Sequence, residues 1–398
     1  MLIDLTDPEL FARNEFWPVL AWLRANEPVY RHPEPDGPGF WVVTRHDHVS
    51  AVYANHDVFS SRFGMRLGSN ADAVAMVAQR MLIVSDPPEH TQLKRVLAKA
   101  FGPSEVPRLE SLVREIVADV VAGAVEVGDV EFLEVARKIP NYVVCSLMDI
   151  PRADWEWVGH VTTDAFEGGD EDARSGAHGE IFLYFEDLLR HRRDHPGDDF
   201  VSRVAHDRRA TGEAGGQHPL TDEEIIFNCN GVLAGANETT RYSAAGGMLA
   251  LAENPGQWRA LRESGPAGVP AAVEEVLRWT VPGVHAMRTA VRAARIGDTQ
   301  IAPGDRVTLW NVSANRDEAV FADADRFLVD RSPNRHVTFG TGRHLCLGAR
   351  LARIELTALF TELADAVAAI EVLGEPKYNS SNFTWGLRDL PLRLVARK

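Results

Sequence analysis

The stretch Phe339-Gly-Thr-Gly-Arg-His-Leu-Cys-Leu-Gly348 decides the reading of this chain. Gly340, Gly342 and Gly348 permit backbone angles closed to other residues, and they let a flat ligand come close. Cys346 ends the loop where helical periodicity begins, from Leu347 to Val367. Unpaired N–H groups at a helix start favour negative charge, so a thiolate there is stabilised. Cys145 and Cys229 sit instead in apolar helical runs and read as buried, inert thiols.

Outward from this loop, helical patterns dominate. Pro107 to Val127, Ile181 to Arg193 and Thr221 to Leu251 are the clearest besides Leu347 to Val367. Thr221-x-x-Glu224 is a capping box, and the helix it opens stops before Asn254-Pro255. That helix spans roughly 50 Å and can cross the whole molecule. Strand-like runs are short: Val29 to Arg31, Trp41 to Thr44, Thr299 to Ile301, Arg306 to Asn311 and Leu392 to Val395. The Gly-rich break from Arg208 to His218 predicts a surface loop, and Gly168 to Gly176 a mobile tip between two helical segments. No linker divides the chain. The expectation is one mainly α domain over residues 1–398 with small β-sheets.

Bulk properties narrow the function. Among 398 residues, 57 acidic side chains against 42 basic ones leave a net charge of -15. Such a balance argues against a nucleic-acid partner. No run of about eighteen apolar residues predicts a membrane span. Met1 to Asn14 lacks the basic-then-apolar pattern of a secretory leader. Three separated cysteines make no disulfide framework, so a cytoplasmic compartment is expected.

A thiolate at the Cys346 position is a competent axial ligand for haem iron and pushes electron density toward O–O cleavage. The ten-residue loop resembles the haem-binding loop of the cytochrome P-450 family at every key position. Three further stretches resemble the same family, and together they cover most of the chain from about Asp86 onward. Glu275-Val-Leu-Arg278 is similar to its Glu-x-x-Arg helix. Read alone, this spacing is an ordinary ion pair on one helical face. The resemblance implies a buried structural pair completed by Arg326 of Asp325-Arg-Phe327. Gly235-Ala-Asn-Glu-Thr-Thr240 resembles the oxygen-activation motif. There the Thr239 hydroxyl can bond back to the Gly235 carbonyl and open the helix locally. Glu238 and Thr239 are then an acid–alcohol pair that relays protons. Ala236 stands where many members have glycine. Asp86-Pro-Pro-Glu-His90 resembles the entry to the helix beside the haem carboxylates, with His90 and Lys94 one turn apart; the family commonly has arginine at the Lys94 position.

The resemblance implies the cytochrome P-450 fold, haem b, and a monooxygenase that uses O2 and two electrons. Its cofactor-binding residues are His90, Lys94, Arg288, Phe339, Gly340, His344, Cys346 and Gly348, with Cys346 on the iron. Gly-x-Gly-x-x-Gly after a strand is missing, so electrons are expected from a ferredoxin and a ferredoxin reductase. Arg95, Lys99, Arg343, Arg350 and Arg353 supply a basic face that would steer an acidic donor. A monomer is expected. The implied substrate pocket is lined by Met65, Leu82, Leu233, Ala236, His285, Met287 and Phe383. His285 is either a polar anchor for substrate or a satisfied core histidine. Phe227-Asn-Cys229 and Asn237-Glu-Thr-Thr-Arg241 look similar to enzymes of natural-product pathways, some of which act on acyl or aminoacyl groups tethered to a carrier protein. A non-catalytic partner, which would be expected to lack the cysteine or the acid–alcohol pair, or a haem sensor is the alternative.

Overall fold

The computed structural model describes residues 3–35, 37–167, 171–211 and 216–397. Its longest element is the helix Asp222–Glu253, here the central helix. The capping box forms as expected. Thr221 N–H donates to Glu224 Oε2 at 2.9 Å, and Glu224 N–H donates to Thr221 Oγ1 at 3.2 Å. Helices Phe132–Leu147, Trp155–Glu167, Glu171–Asp194, Val269–Thr280 and Ala349–Ala366 pack around it, and Val106–Val127 packs on Phe132–Leu147 and Ala349–Ala366. Their buried faces make one large apolar core. Close approach depends on Gly247, where a Cβ would lie 2.7 Å from Phe360 and 2.8 Å from Val276. The central helix is thereby pressed against the two helices that flank the Cys346 loop.

A five-stranded sheet covers one end in the order Val29–Glu34, Gly37–Val43, Arg306–Trp310, His285–Ala290, Phe59–Ser60. The pairing is antiparallel except between Arg306–Trp310 and Gly37–Val43. Smaller apolar clusters lie beneath it. Val367–Val372, Pro391–Ala396 and Asp129–Glu131 form a three-stranded sheet.

Two expectations need correction. Part of the predicted loop from Arg208 to His218 is a β-hairpin, Arg208–Thr211 paired with Gly216–Pro219. Polar, Gly-rich composition marks a chain reversal, but it does not reveal that the arms on either side pair. Of the predicted tip at Gly168 to Gly176, the described part is helical rather than a loop. Helix Glu171–Asp194 already includes its second half, and residues 168–170 lie outside the described residues.

Candidate active site: the Cys346 loop and the central helix

The loop is built from its glycines. Gly340 and Gly342 have φ values of 65° and 70°, in the region glycine tolerates without strain. A Cβ on Gly342 would sit 3.0 Å from the Tyr53 carbonyl oxygen. Gly340 N–H donates to Val337 O at 2.8 Å, and Cys346 N–H closes the loop onto Phe339 O at 3.0 Å. Lys94 Nζ donates to the carbonyls of Arg343 at 2.5 Å and Leu345 at 2.9 Å. The Cys346 thiol has open surface yet is crowded by protein atoms, as a group lining a concavity is. Burial pushes its pKa up. The N–H groups of Gly348 and Ala349, then Lys94 and Arg353, work against that rise by favouring the thiolate.

Behind the loop lies the Glu275–Arg278 pair, both side chains fully buried. Arg278 grips both Glu275 oxygens, at 2.7 and 2.8 Å, and donates to the carbonyls of Asn315, Ala324 and Arg326. The third member is Arg331, whose Nε lies 3.0 Å from Glu275 Oε2. This corrects the expected role of Arg326, whose side chain is 67% exposed and pairs with Asp323. Arg326 contributes only its backbone carbonyl, because the chain turns there and points its side chain outward. Asn315 and Thr338 carry the order onward to the loop: Val337 N–H meets Asn315 Oδ1 at 2.8 Å, and Thr338 Oγ1 meets Leu277 O at 2.8 Å.

On the central helix, Thr239 Oγ1 donates to Gly235 O at 2.7 Å. The helix nevertheless runs unbroken, so the expected local opening does not occur. A carbonyl has a second lone pair, and the hydroxyl uses it without displacing the backbone bond. Glu238 points elsewhere. It is buried, paired with Arg241, and approached by Thr163 Oγ1 at 3.4 Å. Arg241 also donates to Tyr242 Oη at 3.1 Å. Thr240, one residue on, hydrogen-bonds Glu355, a buried carboxyl that desolvation pushes up to about 8.

The residues fit haem. A Cβ at Gly235 or Gly348 would meet no atom within 4 Å, which leaves room for a flat ring. Buried polar groups in this region lack partners of their own. His90 Nδ1 makes no hydrogen bond, and Arg288 Nη1 reaches only the carbonyl of its neighbour Met287. Burial, then Lys94, pulls His90 down to about 4; burial, then Arg288, pulls His344 down to about 2. The haem carboxylates would supply the missing negative charge. Lys94 is committed to the loop carbonyls, so it braces the loop.

Met65, His285, Met287 and Phe383 come together. Met287 N–H donates to Met65 O at 2.8 Å, and the His285 and Phe383 rings lie 5.7 Å apart. Asn228 fastens Leu82 to the central helix, which carries Ala236, through a 2.9 Å bond to the Leu82 N–H. Leu233 does not join them. It is 2% exposed and packs toward Trp157, Ile181 and Phe185, because two residues along a helix from Gly235 is nearly its opposite side. His285 resolves to a satisfied core histidine. Its Nδ1 meets Asn382 O at 2.7 Å and its Nε2 meets Leu67 N–H at 3.3 Å, so both ring nitrogens are taken. Burial pulls it down to about 4, and it stays neutral. Sequence reasoning missed Arg331, Arg241, Glu355 and Arg66; for Arg66 the signal was its place beside Met65. A surface cleft of about 560 Å³ at Arg24, Arg45, Asp317 and Glu318 lies elsewhere, and its charged groups already bond one another or nearby backbone.

Comparison with known proteins bears on the whole chain. The Cytochrome P450 family profile matches residues 269–364. Cytochrome P450 NovI of Streptomyces niveus is 36% identical over 99% of this chain and 96% of its own length. Linalool 8-monooxygenase of Pseudomonas putida is 33% identical over 99% of both. The crystal structure of P450 OxyD, involved in the biosynthesis of vancomycin-type antibiotics, superposes with a TM-score of 0.90 at 35% identity, covering 99% of this chain and 100% of that one. Among the described residues no helix is long and apolar enough to cross a membrane. On this end-to-end likeness in sequence and fold, this chain belongs to the cytochrome P450 family: it is a haem b monooxygenase.

Proposed function

We propose that this monooxygenase acts in secondary metabolism, in the cytoplasm and as a monomer of one domain, on an acyl or aminoacyl group carried by a second protein. The observation that carries this reading is the end-to-end likeness to OxyD, a protein of antibiotic biosynthesis. The Asn237 to Arg241 run supports it through its resemblance to enzymes of natural-product pathways.

Bound haem supplies the iron at which O2 is reduced and one oxygen atom reaches the substrate. The chain does the rest. Cys346 would hold the iron through its thiolate, and Phe339, Gly340 and Gly348 shape its loop. Arg288, His90 and His344 would hold the haem carboxylates. Thr239 holds a proton at Oγ1, and Glu238 resupplies it when released from Arg241. Met65, Leu82, Ala236, Met287 and Phe383 orient the substrate. Electrons arrive from a ferredoxin, itself served by a ferredoxin reductase, at the exposed Leu345 between Arg343 and Arg350. Arg353 and Lys99 contribute less to that face, since Glu274 and Asp207 already neutralise them. Arg95 donates to the Arg208 carbonyl.

The test is the haem spin-state shift on titrating free acids and the same acids on a carrier protein. Tighter binding of the carrier-bound form is expected, because two contacts share one association cost. Equal affinity, with good turnover of the free acid, would make the enzyme an ordinary small-molecule hydroxylase.

A further inference from the structure

Arginines buried in this protein have partners. Arg24, Arg137, Arg241, Arg278 and Arg331 have side chains no more than 7% exposed, and each pairs with a carboxylate. This is the ordinary condition for burying a guanidinium. Arg288 departs from the pattern, and the haem carboxylates account for it. Arg66 is exposed and so lies outside that set, but it sits beside the pocket with no carboxylate paired to it among the described residues.

Arg66 has open surface, yet neighbouring atoms crowd it enough that burial lowers its pKa. That combination, shared with Cys346, belongs to a side chain lining a concavity. Its guanidinium stands over the Phe383 ring at 5.8 Å. Among the described residues, no carboxylate pairs with it, and the charge that acts on it is another cation, Arg174. Its own charge is felt at His178, one turn from Arg174 on helix Glu171–Asp194, and at His285 on the sheet. Arg66 and the helix that carries Arg174 and His178 thus lie close enough for their charges to act on one another, with Phe383 beneath the Arg66 guanidinium. Two guanidinium groups repel, and no carboxylate of the described residues offsets that repulsion at Arg66. The arrangement is one that an anion completes.

We propose that Arg66 receives an anionic oxygen group of the substrate at the rim of the pocket. The group is either a carboxylate of the molecule to be oxidised or the phosphate of the pantetheine arm that tethers it. A planar guanidinium over an aromatic ring recognises both by charge-assisted, paired N–H···O bonds. His285, with both ring nitrogens engaged, fixes the Leu67 backbone beside Arg66 and so positions it. The inference rests on the pocket assigned above and names the class of ligand that enters it.

Four probes on the haem-loaded enzyme test it: phenylpropionate, its methyl ester, phenylpropionyl-pantetheine and phenylpropionyl-phosphopantetheine. Each is titrated against the parent, Arg66→Gln and Arg66→Lys by the haem spin-state shift. The expected result is about tenfold or tighter binding of the anionic member of one pair, lost in Arg66→Gln and partly kept in Arg66→Lys. A gap between acid and ester that closes in Arg66→Gln supports the proposal with a carboxylate as the group. A gap between the two thioesters that closes supports it with the phosphate. Shifts by all four probes with neither gap depending on Arg66 overturn the proposal and leave the pocket intact. No shift by any probe overturns the pocket and the proposal together. An unchanged carbon-monoxide spectrum in Arg66→Gln excludes misfolding as the cause.

Discussion

Two helices of this protein each bury a glutamate and an arginine three residues apart, and the two pairs are not alike. Glu275–Arg278 is satisfied on every side: three backbone carbonyls face the arginine, and Leu328 N–H, Arg331 and Asn334 face the glutamate. Glu238–Arg241 meets side-chain hydroxyls, among them those of Thr163 and Tyr242, and it adjoins Thr239. Equal spacing in sequence therefore gave a pair braced by backbone carbonyls in one case and, in the function proposed above, a proton-relay pair in the other. What separates them is where the remaining hydrogen bonds go, and tertiary structure sets that. Glu355 extends the series as a buried carboxyl whose Oε1 has no partner.

Breaking the brace should have the largest effect. Glu275→Gln or Arg278→Ala leaves a buried charge uncompensated, at about 3–5 kcal/mol or more. Little haem-loaded protein should survive, as read by haem content per chain and thermal unfolding. Full haem loading with an unchanged Tm would dissolve the contrast between the pairs.

Glu355 gives the next effect, through pH. Burial pushes its carboxyl from 4.5 up to about 8, so the folded chain keeps a proton that the unfolded chain releases in that window. The contribution is complete below pH 4.5 and is lost as pH rises through 8. Glu355→Gln should therefore gain on the parent between about pH 5 and pH 9, by up to about 4 kcal/mol. Parallel stability curves for the two proteins would mean that Glu355 is ionised throughout.

At the second pair, effects on chemistry should exceed effects on the fold. Thr239→Ala should cost under about 1 kcal/mol. Glu238→Gln should cost less than Glu275→Gln, about 1–3 kcal/mol. Product formed per electron pair consumed should fall about tenfold or more in both. Unchanged coupling would assign proton delivery to other groups. The smallest effect belongs to Arg326→Ala, within about 0.5 kcal/mol, whereas Arg331→Ala should lose measurable stability. Reversed magnitudes would restore Arg326 to the brace.

Much of this was legible in the sequence, and the misses share a cause. The central helix announced itself through its capping box, and the loop through three glycines at fixed spacing. Both are local signals. Arg331 was not legible, because only the meander after Ala324 decides which arginine turns inward. Leu233 was misread by resemblance, although counting helical turns from Gly235 places it on the far side. His285 was left open by sequence alone. Its answer depended on Asn382 and on Leu67, 97 and 218 residues away.

The central claim is that Cys346 alone of the three cysteines ligates iron. Burial pushes the Cys145 and Cys229 thiols far up, whereas N–H groups and two cations oppose the rise at Cys346. The direct measurement is the reduced carbon-monoxide spectrum of three single variants. Cys145→Ser and Cys229→Ser should keep the strongly red-shifted Soret band of thiolate ligation, and Cys346→Ser should lose it. A red-shifted band that persists in Cys346→Ser would contradict the account.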